Sequence, residues 1–370
     1  MNLNEIEWRC FDFVDIFDIN KGFYNKKPLC DDSEMIPFLG ATAQNNGVTG
    51  WCSMETIEQT TRTGDNRNEP MSRKVFAGGC IAVTNNGSVG HAYYWEHPFT
   101  CSHDINPLFL KGRELTMPLA MFLIASIEKQ AVCFEYSRKW RPERMCKSRL
   151  ILPVDENGNP DYQFMEDYIK ELFHIKMQQY KQHIKQKLFV LETSTESAIE
   201  EPAEWKDFCV SDIFHRMQRG KRFKNDDHVS GTVPYVSSSA NNNGVADFVE
   251  ASRGTRVFKN CISLANSGSV GTAFYEPFAF VASDHVTALE CQFANEYIYL
   301  FLATVIQKQS SNFSFNREIK DSRLKRMRIM LPVTINGEPD YTYMEQYGKK
   351  LMLKKYQQYL RYLEGKSETL

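Results

Sequence analysis

Asn85-Asn86-Gly87-Ser88-Val89-Gly90 returns later in the chain as Asn266-Ser267-Gly268-Ser269-Val270-Gly271. A run of apolar and small residues precedes each copy: Cys80-Ile81-Ala82-Val83 and Cys261-Ile262-Ser263-Leu264-Ala265. An aromatic run follows each: Ala92-Tyr93-Tyr94 and Ala273-Phe274-Tyr275. β-Branched and aromatic residues suit a pleated surface, and glycine accepts the positive φ of a turn. The pattern therefore predicts strand, tight turn, strand, with a bare loop backbone that another molecule can approach. Two copies in matching surroundings make the chain a repeat.

The match extends outward. Glu7-Trp8 pairs with Glu204-Trp205, Asp15-Ile16-Phe17 with Asp212-Ile213-Phe214, Ile36-Pro37-Phe38 with Val233-Pro234-Tyr235, and Asn45-Asn46-Gly47-Val48 with Asn242-Asn243-Gly244-Val245, all at an offset of 197. The hairpin copies lie 181 apart, so the first half carries about 16 extra residues, expected in the polar stretch 60–73 as a loop. Helix candidates follow at 118–132 and 295–309. Beyond them Phe134-Glu-Tyr136-Ser-Arg138 matches Phe313-Ser-Phe315-Asn-Arg317, and Leu152-Pro153-Val154 matches Leu331-Pro332-Val333.

Each half closes on a long amphipathic helix. Asp161 and Asp340 are plausible caps, and Met165, Tyr168, Leu172 and Tyr180 in one helix, or Met344, Tyr347, Leu351 and Tyr359 in the other, recur at steps of three and four. Such stripes predict that the two helices pack on each other, or on a partner, as a short coiled coil. The expected class is α/β (α+β), with two pseudo-repeated units. The expected boundaries are 1–155 for the first globular domain, 156–192 for its helix, 193–203 for a polar linker, 204–334 for the second domain, 335–364 for its helix and 365–370 for a tail.

Composition bounds the function. A chain of 370 residues with a formal net charge of −2 carries no global field toward nucleic acid, so any basic surface must be local. Ten cysteines without a CxxC pair or histidine partners point first to reduced, packed thiols in a cytoplasmic protein with no metal site, and only second to disulfides or zinc. The first residues do not form a signal peptide, and no apolar run reaches membrane-spanning length.

No catalytic set stands out. P-loop, GxSxG and HExxH patterns are absent. Asn106-Pro107 lacks the second proline and aromatic residue of an adenine-methylating site. Pro160-Asp161 and Pro339-Asp340 are half of a nuclease signature but stand where a helix cap is needed. His103-Asp104 and Asp284-His285 reverse their order between the halves, which suits strand-end polar residues or variable ligand recognition better than a shared mechanism.

Charge placement says more. Arg138, Lys139, Arg141, Arg144, Lys147 and Arg149 crowd one stretch; Arg317, Lys320, Arg323, Lys325, Arg326 and Arg328 crowd its counterpart. Arg216, Arg219, Lys221, Arg222 and Lys224 form a further group where the first half has Lys21, Lys26 and Lys27. A charge run is most often a solvated face, yet recurrence at equivalent positions suits a phosphate backbone. Asn45, Asn46, Asn242 and Asn243 could read base edges, although a plain NNG turn is the commoner use.

The ordered set W-x-x-x-x-[VL]-x-D-[IV]-F, IPF/VPY, NNGV, NxGSVG-x-A-[FY]-[YF], F-x-[YF]-x-R and a closing helix, written twice, resembles the DNA-specificity (S) subunit of type I restriction–modification systems. The segment LPV-x-x-NG-x-PDY-x-[FY]-ME is similar to the form found with type IIB-like and other fused enzymes, where the familiar type I form starts its helix with a proline-rich LPPL…EQ. The resemblance covers residues 5 to 363. It implies two target recognition domains that each read one half of a split, asymmetric double-stranded DNA target, with the helices as an antiparallel coiled coil that spaces the half-sites. It further implies docking of DNA adenine methyltransferase subunits, fused to or joined by a nuclease. Catalysis, with its S-adenosylmethionine, Mg2+ or ATP, belongs to those partners, and this chain needs no cofactor. Phosphate-clamp candidates are then Arg138, Lys139, Arg141, Arg144, Arg317, Lys320, Arg323 and Lys325, with Lys21, Arg219, Lys221 and Arg222. Asn86, Ser88, Ser267 and Ser269 of the hairpins and the four NNG asparagines would lie at the groove. The competing expectation is a two-domain binding protein for a non-DNA ligand, favoured by the near-neutral charge.

Overall fold

The structure is a computed structural model that describes residues 3–31, 33–65, 69–134, 138–195, 201–202, 204–222, 229–252, 254–314 and 316–366. Tyr136, Phe315 and Lys224, residues 196–200 and 203 of the expected linker, and 367–370 of the expected tail lie outside them. The chain divides into two compact units, 1–179 and 180–370.

The first unit holds strands β1 (Trp8–Asp12), β2 (Phe17–Ile19), β3 (Ile36–Leu39), β4 (Val48–Cys52), β5 (Val75–Phe76), β6 (Cys80–Thr84), β7 (Ala92–Trp95), β8 (Phe99–Cys101), β9 (Ile105–Leu110) and β10 (Arg149–Pro153). They form one four-stranded antiparallel sheet in the order β2-β9-β6-β7, a mixed sheet β4-β3-β8-β5 in which β3 and β8 are parallel, and a β1-β10 ribbon. Every residue of β6 is buried. Ile81 and Val83 pack with Leu119, Leu123 and Ile127 of helix α1 (Met117–Glu128), while Cys80 and Ala82 pack with Leu39, Phe99 and Cys101 of the mixed sheet. A strand covered on both faces needs a continuous apolar run rather than alternation, which is why Cys80-Ile81-Ala82-Val83 reads as it does. α2 (Tyr162–Ser194) starts in this unit, and the division falls within it.

The second unit repeats the plan. Strands β11 (Glu204–Cys209), β12 (Arg216–Arg219), β13 (Ser230–Val236), β14 (Val245–Val249), β15 (Val257–Phe258), β16 (Cys261–Ala265), β17 (Ala273–Glu276), β18 (Phe280–Ala282), β19 (Val286–Glu290) and β20 (Arg328–Val333) form sheets β12-β19-β16-β17, β14-β13-β18-β15 and β11-β20. Helix α3 (Glu296–Gln307) covers β16, and α4 (Tyr341–Lys366) closes the unit.

Three local expectations are refined. The repeated hairpin is antiparallel, but its turn is wider than a two-residue one: the register ends at Val83↔Ala92, and Gly90 N–H donates to the Thr84 carbonyl at 2.9 Å. Gly87 and Gly90 take φ of 64° and 88° there. The extra residues of the first half lie between β4 and β5 and are not all loop. They contain the short helices Met54–Gln59 and Met71–Lys74, and the buried Lys74 ammonium donates to the carbonyls of Ile57, Glu58 and Thr60 at 3.0, 2.7 and 2.9 Å. Those are orphan acceptors of a helix end, which a cation satisfies well; burial lowers the lysine pKa. Finally, Asp161 and Asp340 accept from the N–H of Phe164 and Tyr343, each at 2.9 Å, so both serve as helix caps.

The helix stripes divide their duties. Met165 and Met344 are fully buried in the cores of their own units, and Tyr168 packs on the first core, so these three serve their own domains rather than a helix–helix seam. Within the second unit the end of α2 runs antiparallel to α4. Tyr180 meets Tyr359 edge-on at 5.6 Å, and the Ser194 carbonyl accepts from Lys349 Nζ at 3.3 Å, fourteen residues on in one helix and ten back in the other. Ile184, Leu191 and Leu363 are buried in this unit. Leu172, Tyr347 and Leu351 stay 40–47% exposed.

Candidate nucleic-acid interface

The first asparagine of each NxGSVG copy is a structural hub. Asn85 is buried, and its Nδ2 donates to Asn106 Oδ1 at 2.8 Å and to the His103 carbonyl at 3.2 Å. Its own carbonyl accepts from Trp140 N–H at 3.0 Å. Asn266 repeats this: Nδ2 donates to the Ile319 carbonyl at 2.8 Å, Oδ1 accepts from Thr287 Oγ1 at 2.8 Å, and its carbonyl accepts from Ile319 N–H at 3.0 Å. A short amide with two donors and an acceptor can tie three segments without leaving a polar atom unpaired. Asn106, the residue that hinted at methylation chemistry, is spent here, fully buried.

The hub fixes the basic stretch against the hairpin loop. Trp140 is fully buried, stacked on Phe134 at 4.7 Å, and its Nε1 donates to Ser148 at 2.9 Å. Around that anchor Arg138, Arg141 and Arg144 are exposed; Lys139 is half-buried. Arg138 lies over the Phe134 ring at 5.6 Å, and Arg144 donates to the Lys139 carbonyl at 2.8 Å. In the second unit Ile319 takes the anchor position, Arg317, Lys320, Arg323 and Lys325 are exposed, and Arg323 donates to the Glu318 carbonyl at 2.8 Å. The same bond on the same register shows that these arginines brace their segment while projecting into solvent.

The NNG loops sit beside the hairpin loops. Asn45 and Asn46, and Asn242 and Asn243, all take φ near 50° before glycines at 81° and 78°. Three consecutive left-handed residues suit asparagine and glycine best, so the turn accounts for the motif; the four asparagines are nevertheless exposed. Tyr93 Oη donates to the Thr42 carbonyl at 2.9 Å, and Ser269 N–H to the Ser238 carbonyl at 3.1 Å, which ties each hairpin to the segment that enters its NNG turn. In the first unit Asn45, Asn46, Thr49, Trp51 and Trp95 line an open cleft of about 630 Å3. Trp51 and Trp95 were missed in the sequence; their only signal was an aromatic on a strand beside a predicted loop.

Lys21 and Arg219 stand before glycines where the backbone passes very close to another strand: a Cβ on Gly22 would meet the Ser102 carbonyl at 2.0 Å, and one on Gly220 the Ala282 carbonyl at 2.1 Å. Lys21, Lys221 and Arg222 are exposed. Arg219 differs, because Asp321 holds it at 2.9 Å.

The hairpin polar residues are engaged with their neighbours. Asn86 Nδ2 donates to Asp104 Oδ1 at 3.0 Å, and at the equivalent place Ser267 Oγ meets His285 Nδ1 at 2.6 Å. The reversed His-Asp order thus gives one half an amide–carboxylate pair and the other a hydroxyl–imidazole pair. Ser88 and Ser269 are both half-buried, and the Ser88 carbonyl accepts from the Thr84 hydroxyl. Among the described residues no three His, Cys, Asp or Glu gather as metal ligands, and no helix is long and apolar enough to cross a membrane.

A duplicated fold with a polar, basic loop edge in each copy is matched by one family model, the type I restriction modification DNA specificity domain, over residues 5–186 and again over 202–360. The chain belongs to that family. DNA sequence recognition is therefore its role, and the family match gives no support to the non-DNA ligand. The specificity subunit of a type II restriction enzyme from Heyndrickxia coagulans is 24% identical over 75% of this chain and 79% of its own. A putative type I specificity subunit from Mycoplasma pneumoniae is 22% identical over 88% and 85%. The S subunit of a type I system from M. genitalium, a solved structure, aligns over 100% of this chain and 96% of its own at 16% identity and a TM-score of 0.44.

Proposed function

We propose that each unit of this specificity subunit reads one half of a bipartite, asymmetric DNA target, and that the chain brings partner subunits carrying the methyltransferase and any nuclease chemistry to that target. The observation that carries this reading is the pair of family matches, one per unit, on loop edges that share a backbone and differ in side chains. Identical edges would read a repeated half-site; Asp104 against His285 cannot present the same pattern of donors and acceptors to base edges. Arg138, Arg141, Arg144, Arg317, Lys320, Arg323 and Lys325 would hold phosphates, with Lys139, Lys21, Lys221 and Arg222 at the margins. Asn45, Asn46, Asn242 and Asn243 would face the groove. Ser88, Ser269, Asn86 and Ser267 would support the loop that carries them.

A duplicated aromatic face supports docking of a methyltransferase subunit on each unit. Trp8 stacks on Phe122 at 6.2 Å, with Tyr168 edge-on to it at 6.0 Å; Trp205 stacks on Phe301 at 6.4 Å, with Tyr347 edge-on at 5.8 Å. In the second unit these rings, with Leu351 and Met330, line a groove of about 940 Å3. Phe122 is buried beneath this face, while Trp8, Trp205 and Tyr347 keep exposed ring surface of the kind a partner buries. S-adenosylmethionine, Mg2+ and ATP would then be bound by the partners.

Single-molecule sequencing of host DNA for methylated adenine, with and without this gene, tests the proposal. Loss of one motif made of two unlike halves is the expected result. Methylation that is unchanged, in a host shown to express the complex, would overturn it.

A further inference from the structure

We propose that Cys30 and Cys52 form a redox-closed staple in the first unit, joining the segment after Lys27 to the end of β4 when the protein meets a disulfide oxidant. The two sulfurs lie 2.7 Å apart with no bond between them, closer than two non-bonded sulfurs rest. A disulfide bond is about 2.05 Å long, so closure needs roughly 0.7 Å of movement. The approach is built into the backbone around it. Asp31 N–H donates to the Trp51 carbonyl at 2.8 Å, and Lys27 Nζ donates to the Thr49 carbonyl at 2.5 Å. Gly50 leaves the necessary space, since a Cβ there would meet Cys30 Cβ at 2.8 Å.

The roles of the two thiols follow from their surroundings. Cys52 is fully buried, and burial holds its pKa well above the usual thiol range. Cys30 is half-exposed, so it is the sulfur an oxidant reaches first. The charged groups that act on Cys52 are Lys27, which favours its thiolate, and Glu34, which opposes it. The Cys30 thiolate attacks a small disulfide such as oxidised glutathione, giving a mixed disulfide and releasing one glutathione thiolate. Cys52 then loses its proton and attacks Cys30 Sγ, expelling the second glutathione. Two protein thiols and one disulfide become one protein disulfide and two thiols, with the electron pair carried off by glutathione.

The staple belongs to one half only. Val249 ends β14 where Cys52 ends β4, and no cysteine lies between Cys209 and Cys261. Because β4 begins directly after the NNG turn, the staple would restrain the first unit's recognition loop and leave the second unit's free. That consequence rests on the proposed function; the bond itself does not.

The experiment places the full-length chain in a glutathione redox buffer, quenches with acid, blocks free thiols and maps peptides by mass spectrometry, with hydrogen exchange measured in parallel. The expected result is a Cys30–Cys52 linked peptide, reversed by dithiothreitol, with exchange slowed several-fold over 36–52 and unchanged over 233–249. Cys30→Ser should remove both signals, and it avoids disturbing the buried Cys52. Recovery of Cys30 only as its glutathione adduct, or of both thiols unlinked, would overturn the proposal. A linked peptide without slowed exchange would overturn the restraint. If the bond forms but methylation of host DNA never depends on this gene, the staple stands and the proposed function fails.

Discussion

The two units carry one scaffold and two surfaces. The residues that coincide are those that hold backbone to backbone: Gly22 and Gly220 at a close strand crossing, Asn85 and Asn266 at the hub, Arg144 and Arg323 on the same carbonyl, Asp161 and Asp340 at helix starts. The residues that diverge stand one step further out. Asn86–Asp104 corresponds to Ser267–His285, and Trp95 in a cleft becomes the buried Glu276, which accepts from Ser263 Oγ at 2.9 Å. Among the described residues, only the first unit has the insertion capped by Lys74 and the thiol pair. A duplicated domain can therefore change what it recognises without touching its hydrogen-bonded frame, because frame and surface are adjacent residues of the same loops.

The strongest way to break this comparison is to remove an anchor from one unit. Trp140→Ala should cost the first unit about 3–5 kcal/mol and free its basic stretch, while Ile319→Ala costs the second about 2–5 kcal/mol. Denaturant unfolding followed by a probe in each unit should show only the mutated one shifted. A shift of both transitions together would mean that the frames are not independent.

Next come the divergent pairs. Asp104→Asn and His285→Gln should each relax or change the preference at one position of one half-site, worth about 1–3 kcal/mol. Sequencing of methylated DNA from strains with each variant reads this directly. Changes in the same half-site from both variants would sink the one-unit, one-half assignment.

The basic stretches should behave alike. Arg141→Ala and Lys320→Ala should each weaken binding of the assembled complex to all sequences and lower the salt slope by about 0.9. Arg219→Ala should do less, since Asp321 already engages that charge. Titrations at several salt concentrations check the order, and equal losses for Arg141 and Arg219 would contradict it.

The smallest effect is a pH dependence confined to the second unit. Burial raises the Glu276 pKa, which its bond from Ser263 only partly opposes. Such a carboxyl costs nothing while protonated in both states, below its ordinary pKa, and destabilises the fold as pH rises through the raised value. Glu276→Gln should match the parent at acid pH and exceed it in stability at neutral pH. A parent that gains relative to the variant as pH rises would reverse the sign and refute it.

Much of this plan can be read in the amino-acid order. The repeat, its strands and helix caps depend on local chemistry: β-branched runs, left-handed NNG turns, an aspartate before a helix. The insertion was legible as a change of offset, although not as two short helices, because Lys74 acts on carbonyls fourteen to seventeen residues away. The candidate contact residues were legible only as residue types in a pattern.

Tertiary structure alone separates neighbours of the same type. Asn85 is buried and Asn86 is not; Arg219 is paired and Arg222 is exposed; Met165 and Met344 of amphipathic stripes turn into their own cores. Periodicity reports which face of a strand or helix is apolar, but a loop residue's duty depends on what arrives beside it. For Asn85 that is Asn106 and Trp140, and for Arg219 it is Asp321, brought from 21 to 102 residues away by the tertiary fold.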